Sequence, residues 1–267
     1  MRATIGLVLV AAVSCLAGCF SVTGGGAEGP LKKTLGPCSP EPCVAVDIDG
    51  LPELPHTVSP SAREVIKGEL RQVLYAPLDI ETKTPSLKSL LGELEERLRE
   101  YDGLSDAPVD WKLTRKALLL YSDKKITSCE VTNQGYLGGA HGFNDRMLMT
   151  FDSQTGQRLG VTDVVADQSQ RTLSKVVEAE FRRARSIRLG QSLQDAGFFI
   201  LPGQELPLGE NFALTDRGME IQYNPYEVAP YALGETRVRV PSEAVAPLVK
   251  AELQEVFTAG SSEAINR

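Results

Sequence analysis

Between Trp111 and Phe151 four strand-patterned runs follow one another with no helix-patterned segment among them, and this clustering limits the fold more than any other feature. The runs are Trp111 to Thr114, Lys116 to Ser122, Ile126 to Asn133 and Arg146 to Phe151. Asp152-Ser153-Gln154-Thr155-Gly156 then supplies hairpin-turn chemistry. Strands joined so closely pair antiparallel, because a parallel neighbour needs a crossover of about a dozen residues or more. Upstream, Val44, Val46 and Ile48 alternate with Ala45, Asp47 and Asp49 before Gly50, the pattern of a half-buried strand.

Helical spacing brackets this block. Ser59-Pro60-Ser61 opens a helix with Ser61 and Glu64 in capping-box spacing, and Val65, Ile66, Glu69, Leu70, Val73 and Leu74 keep the repeat. A second helix carries Leu87, Leu90, Leu91, Leu94, Leu98 and Tyr101 as one apolar stripe, opposite Glu93, Glu95, Glu96, Arg97 and Arg99. Both stripes read as core, with a partner surface as the alternative. A third helix is expected from Gln168 to Ile187. Arg182, Arg183, Arg185 and Arg188 gather at its C-terminal end, where the macrodipole favours cations and an acidic partner is the rival explanation. Phe212 to Thr215, Asp216-Arg217-Gly218 and Met219 to Tyr223 read as a hairpin. Thr236 to Val240 is a strand, and Ser242 to Phe257 a closing helix. The fold class is α+β, an antiparallel sheet with helices packed on one face.

The N-terminus addresses the chain. Met1-Arg2, the apolar run Ile5 to Val13 and Leu16-Ala17-Gly18-Cys19 make a secretion signal, since that run falls short of the roughly 20 residues a spanning helix needs. Leu-Ala-Gly-Cys resembles the lipobox of bacterial lipoproteins. That resemblance implies cleavage before Cys19, acylation of its thiol and an extracytoplasmic body held to a membrane by lipid, the outer one in a Gram-negative host because Phe20 rather than Asp follows. Residues 1–18 are then the signal peptide and 19–42 the lipidated cysteine and a Gly-rich tether. Residues 43–125 form an N-terminal α+β subdomain, 126–258 a C-terminal domain, and 259–267 a tail. The net charge of −7 comes without a basic patch or a block of like charges, which excludes nucleic acid as a partner.

Three cysteines follow Cys19 in a compartment that permits disulfides. Cys38 and Cys43 close a short loop with two prolines and are the first choice for a bridge, leaving Cys129 as a buried free thiol; the rival pairing joins Cys129 to one of them. With His56 and His141 the only histidines and no Cys-x-x-Cys, no metal site is expected. No cofactor fingerprint occurs either.

Three segments carry a family resemblance. They are Gly135-Tyr136-Leu137-Gly138-Gly139-Ala140-His141-Gly142; Thr150-Phe151-Asp152 with Thr155-Gly156 and Leu159; and Asn211 to Gly218 leading into Asn224-Pro225-Tyr226-Glu227-Val228-Ala229-Pro230-Tyr231-Ala232 and Gly234. Their order resembles the domain of unknown function shared with RsiV, the lysozyme-sensing anti-sigma factor, over roughly Ile126 to Val256. What the resemblance implies is a binding protein whose partner is a lysozyme-like protein or a peptidoglycan fragment. A lipobox and tether stand where the anti-sigma factor has its sigma-binding segment and membrane helix, so anti-sigma activity is not expected.

The residues themselves point to a loop-built ligand site at Tyr136, Gly138, Gly139, His141, Tyr226, Glu227 and Tyr231. Glycines free the backbone around His141, and the tyrosines have the amphipathic rings enriched at binding surfaces. The competing explanation is structural, with glycines serving turns and the Pro-Tyr segments bracing an irregular crossing. No nucleophile elbow, zinc-protease or Walker motif is present, so no catalytic residue is assigned. The enzymatic alternative is an envelope enzyme acting on peptidoglycan or peptide with His141 in the active site, paired to Glu227 or Asp145; Asp47 and Asp49 also fall on one strand face.

Overall fold

The computed structural model describes residues 29–38, 42–78, 85–101 and 111–257. The expected signal peptide, the lipidation site Cys19 and the tail 259–267 lie outside the described residues. A six-stranded sheet is built from β1 (Leu31–Leu35), β2 (Val44–Ile48), β3 (Trp111–Ser122), β4 (Ile126–Tyr136), β5 (Phe143–Asp152) and β6 (Arg158–Leu159), in that order. Between β2 and β3 come α1 (Pro60–Leu74) and α2 (Leu87–Glu100). After β6 follow α3 (Val161–Val164) and α4 (Gln170–Ala184), then a second sheet of β7 (Phe212–Thr215), β8 (Gly218–Tyr223) and β9 (Thr236–Pro241), and finally α5 (Ser242–Val245). The fold is α+β. Its neighbours pair antiparallel except β2 and β3, which run parallel because α1 and α2 provide the crossover.

Several local outcomes differ from the sequence pattern. The two runs at 111–122 are one strand, with a register shift between Leu119 and Tyr121. Part of the expected tether is in the sheet, since β1 pairs along β2, Leu35 is buried and Lys32 meets Asp47 at 3.6 Å. An edge strand needs one buried face and tolerates lysines on the other, so its short, charged sequence concealed it. The Cys38–Cys43 disulfide forms between β1 and β2 and leaves Cys129 free and buried. Ser59, not Ser61, caps α1, accepting the Ala62 N–H at 3.1 Å. The closing helix is broken into α5 and two 3₁₀ turns, Ala246–Leu248 and Ala251–Phe257. Pro247 has no N–H to give, and Val249 extends to bridge Val165 while the Leu248 carbonyl takes the Ala166 N–H.

The large sheet is covered on both faces. Ala117 on β3, Cys129 and Val131 on β4, and Met149 and Phe151 on β5 point to α1 and α2, where Ile66, Leu70, Leu90 and Leu94 are fully buried. Strand alternation turns Ser128 and Thr150 the other way. There Ser128 Oγ donates to the Leu214 carbonyl at 2.6 Å and Thr150 Oγ1 accepts the Leu214 N–H at 3.0 Å, tying β4 and β5 to β7. A second core then lies around the small sheet and α4, with Leu173, Val177 and Phe181 against Ile221, Val238 and Val240. β4 belongs to both cores, so the sheet runs unbroken across the expected 125/126 boundary.

Candidate functional site

The loop between β4 and β5 and the turn after β8 bring the sequence-predicted rings together. His141 stacks on Tyr231 with centroids 3.7 Å apart and planes 17° from parallel. Tyr226 lies 5.9 Å from Tyr231 and 6.5 Å from His141, and its hydroxyl reaches His141 Nε2 at 3.3 Å. The Gly142 carbonyl accepts from Tyr231 Oη at 2.8 Å and meets His141 Nδ1 at 2.8 Å. That network assigns the proton to Nδ1, which leaves Nε2 to accept from Tyr226. Tyr136 Oη donates to the Gly139 carbonyl at 2.9 Å and fixes the base of the loop.

The backbone explains why these residue types occur here. Gly138 sits at φ 86°, a conformation costly for any residue with a side chain, and a Cβ at Gly142 would come within 2.7 Å of the Gly135 carbonyl oxygen. Tyr226 adopts φ 70° although it is not glycine, and remains 60% exposed. Such a conformation costs of order 1–3 kcal/mol unless its surroundings impose it. Here the Tyr226 N–H donates to the Ala229 carbonyl at 3.0 Å and the Glu227 N–H to that of Asn224 at 3.2 Å, closing a tight turn. Asn224 anchors the turn. Its Oδ1 accepts the Arg146 N–H at 2.9 Å and its Nδ2 donates to the Arg146 carbonyl at 3.0 Å, completing the edge of β5 as another strand would. Asn211 does the same one step along, accepting the Leu148 N–H at 2.6 Å and donating to the Arg146 carbonyl at 2.9 Å.

Beneath the rings lies an ion network that sequence reading missed. Glu130, with a side chain 5% exposed, meets Arg146 at 2.7 Å and Arg237 at 2.9 Å. Arg146 also binds Glu235 at 3.1 Å, and Gln222 bridges Glu235 to Arg237. Burial works to raise the Glu130 carboxyl, but contacts with Arg146 and Arg237 outweigh it and hold the group below the usual carboxylate range.

Other candidates resolve into structure. The acid/base pairing of His141 that the enzymatic alternative would use does not form: its nitrogens meet Gly142 and Tyr226, while Glu227 accepts from Asn224 Nδ2 at 3.2 Å and Asp145 faces a cavity. Asp47 and Asp49 pair with Lys32 and Lys116. Arg182 and Arg183 bind Glu178 and Glu180 on their own helix, and Arg185 donates to the Leu233 carbonyl while lying over the Phe198 ring. Three of the four clustered arginines therefore have local partners.

On the helix-facing side of the large sheet, a cavity of about 520 Å³ opens between the end of α1 and strands β3 to β5. Its floor is a row the sequence does not show as a row. Arg115 pairs in register with Asn133, and Asn133 with Asp145, so three residues scattered along the chain stand side by side. Burial pulls the Arg115 guanidinium down to about 10, Glu93 acting in the opposite sense. Burial likewise raises the Asp145 carboxyl, with Glu235 adding to the effect. Gly138 and Asn224 lie on the rim, next to the ring cluster.

Residues 162–243 match the model of a family described as "Protein of unknown function (DUF3298)". The matched span holds the Asn211 and Asn224 motifs with Tyr226 and Tyr231, whereas the His141 loop precedes it. The fold is similar to that of a DUF3298 family member from Bacteroides fragilis, with a TM-score of 0.66 at 15% identity over 91% of this chain and 99% of that one. It is also similar to a DUF3298 family protein from Pseudomonas aeruginosa, with a TM-score of 0.57 at 19% identity over 84% and 94% of the two chains. No curated protein matches the chain in sequence.

Proposed function

We propose that this chain is a non-catalytic binding protein, lipid-anchored through Cys19 outside the cytoplasm, whose ring cluster docks a protein of the lysozyme type. The observation that carries the reading is Tyr226, exposed and held at positive φ beside the stacked His141 and Tyr231 rings. Rigid aromatic side chains presented at loop tips are the residue type that dominates binding energy at protein interfaces, and they lose little side-chain entropy on docking. His141 is engaged at both ring nitrogens, which suits a contact surface. The motif resemblance to the lysozyme-sensing domain supports the partner class. So does the net charge of −7, since long-range attraction to a strongly basic protein speeds association and fades with salt.

The test is titration of the purified chain with hen lysozyme and, separately, with a soluble peptidoglycan fragment. Lysozyme binds without turnover, and the paired variant Tyr226→Ala, Tyr231→Ala weakens binding by more than about 2 kcal/mol while circular dichroism stays native. Unchanged affinity in that variant sinks the site assignment. Binding of the glycan alone replaces the partner, and fatty-acid labelling that persists in Cys19→Ala removes the anchor.

A further inference from the structure

The cavity beside the rings holds a buried cation that makes no ion pair among the described residues. Arg115 is only 3% exposed, yet it lines the space. Its Nε donates to Asn133 Oδ1 at 2.9 Å, and its Nη1 to the carbonyls of Leu74 and Ala76 at 2.9 and 2.6 Å. All three acceptors are neutral, and among the described residues no carboxylate lies within ion-pair distance and Nη2 makes no hydrogen bond. Glu93 is close enough to act on the guanidinium through its charge, but its Oε2 accepts the Leu78 N–H at 2.8 Å. Arg146, on the same lining, is satisfied by Glu130 and Glu235, whereas Arg97 is exposed at the wall and makes no ion pair among the described residues. A buried charge is strongly unfavourable unless something of opposite sign completes it.

Asn133, Asp145 and Asn224 also line the space, and the apolar part of the wall comes from Val73, Leu78, Val131, Leu137, Phe143 and Met147. A volume of about 520 Å³ falls within the range of small-molecule sites, which are mostly apolar with a few placed polar groups. We infer that this cavity binds a small carboxylate amphiphile, its head group on the Arg115 guanidinium and its apolar body along the Val73, Val131 and Met147 wall. The free Nη2 offers a charge-assisted hydrogen bond, the strongest kind available to a carboxylate in a low-dielectric site. Asp145 opposes the anion from the far end of the same row, which makes it a tuning residue. This site does not depend on the proposed lysozyme-type docking, because the three rings lie outside the lining.

Calorimetric titration of the purified chain with decanoate, below its micellar concentration, tests the inference against decan-1-ol and decylammonium of the same chain length. Decanoate should bind at one site per chain and at least about tenfold more tightly than decan-1-ol, with decylammonium weakest. Met147→Trp fills the cavity while leaving Arg115 in place and should weaken decanoate by about tenfold or more; Asp145→Asn should strengthen it. Equal affinity for decanoate and decan-1-ol overturns the charge assignment. Undiminished binding in Met147→Trp, or loss of decanoate binding in the paired Tyr226→Ala, Tyr231→Ala variant, overturns the location.

Discussion

Over 126–132 of β4 and 148–151 of β5 both faces are shut from water, but by opposite means. Toward α1 and α2 the strands present Cys129, Val131, Met149 and Phe151, and the face is held by hydrocarbon. Toward β7 to β9 they present Ser128, Glu130, Thr150 and Arg146, and the face is held by hydroxyl-to-backbone bonds and an ion network. The difference assigns different jobs. Hydrophobic burial is non-directional, and on that side it leaves room for a cavity whose Arg115 makes no ion pair among the described residues. Hydrogen bonds and ion pairs fix direction, and on the polar side they set the register of the small sheet that carries Tyr226 and Tyr231.

If that division is right, the largest loss comes from cutting the polar face at its centre. Glu130→Ala strands Arg146 and Arg237 with reduced compensation and should cost about 3–5 kcal/mol in urea-induced unfolding. The pH dependence has a definite sign. The folded carboxyl of Glu130 lies below its unfolded value, so its contribution is complete above the unfolded range, near pH 4.3, and disappears as the pH falls through the folded value. Glu130→Gln should remove that part of the acid slope. A mutant as stable as the parent would mean that the network is ornamental and that apolar burial orients both sheets.

A smaller effect separates the faces at adjacent residues. Cys129→Ser puts a hydroxyl among apolar neighbours, and Ser128→Ala leaves the Leu214 carbonyl without its donor. Each should lower stability by about 1–3 kcal/mol. Burial pushes the Cys129 thiol up to about 12, so alkylation in the native state should be far slower than after unfolding. Rapid native alkylation would show that the helix-facing side opens.

Much of this was legible in sequence, and the failures have physical causes. Amphipathic periodicity located α1, α2 and α4, and hairpin chemistry located β7 and β8. The ring cluster was legible because two motifs each placed aromatic or imidazole groups beside turn-forming glycine and proline. Ser128, Glu130 and Thr132 alternate with Cys129 and Val131, and alternation reports polarity but cannot tell water from a buried polar partner. The Arg115, Asn133 and Asp145 row depends on the register of three strands, which no local pattern encodes. The break after α5 depends on a long-range bridge to Val165.

The smallest effect tests whether the ring surface is shaped by its backbone. Tyr226 occupies φ 70°, where a side chain costs roughly 1–2 kcal/mol and glycine does not. Tyr226→Gly and Tyr226→Ala both delete the ring, so comparing them isolates the backbone cost from the contacts with His141 and Tyr231. The glycine variant should be the more stable by about 1 kcal/mol, read from thermal or urea unfolding, with equal loss of lysozyme affinity in the two. If alanine is as stable as glycine, the turn relaxes freely and the Asn224 anchor does not impose its geometry. If glycine alone keeps the affinity, the ring is dispensable and the turn itself is what the partner touches. Tyr226 is an exposed position held at positive φ whose side chain also joins the ring cluster, so there the backbone cost can be weighed directly against what the side chain contributes.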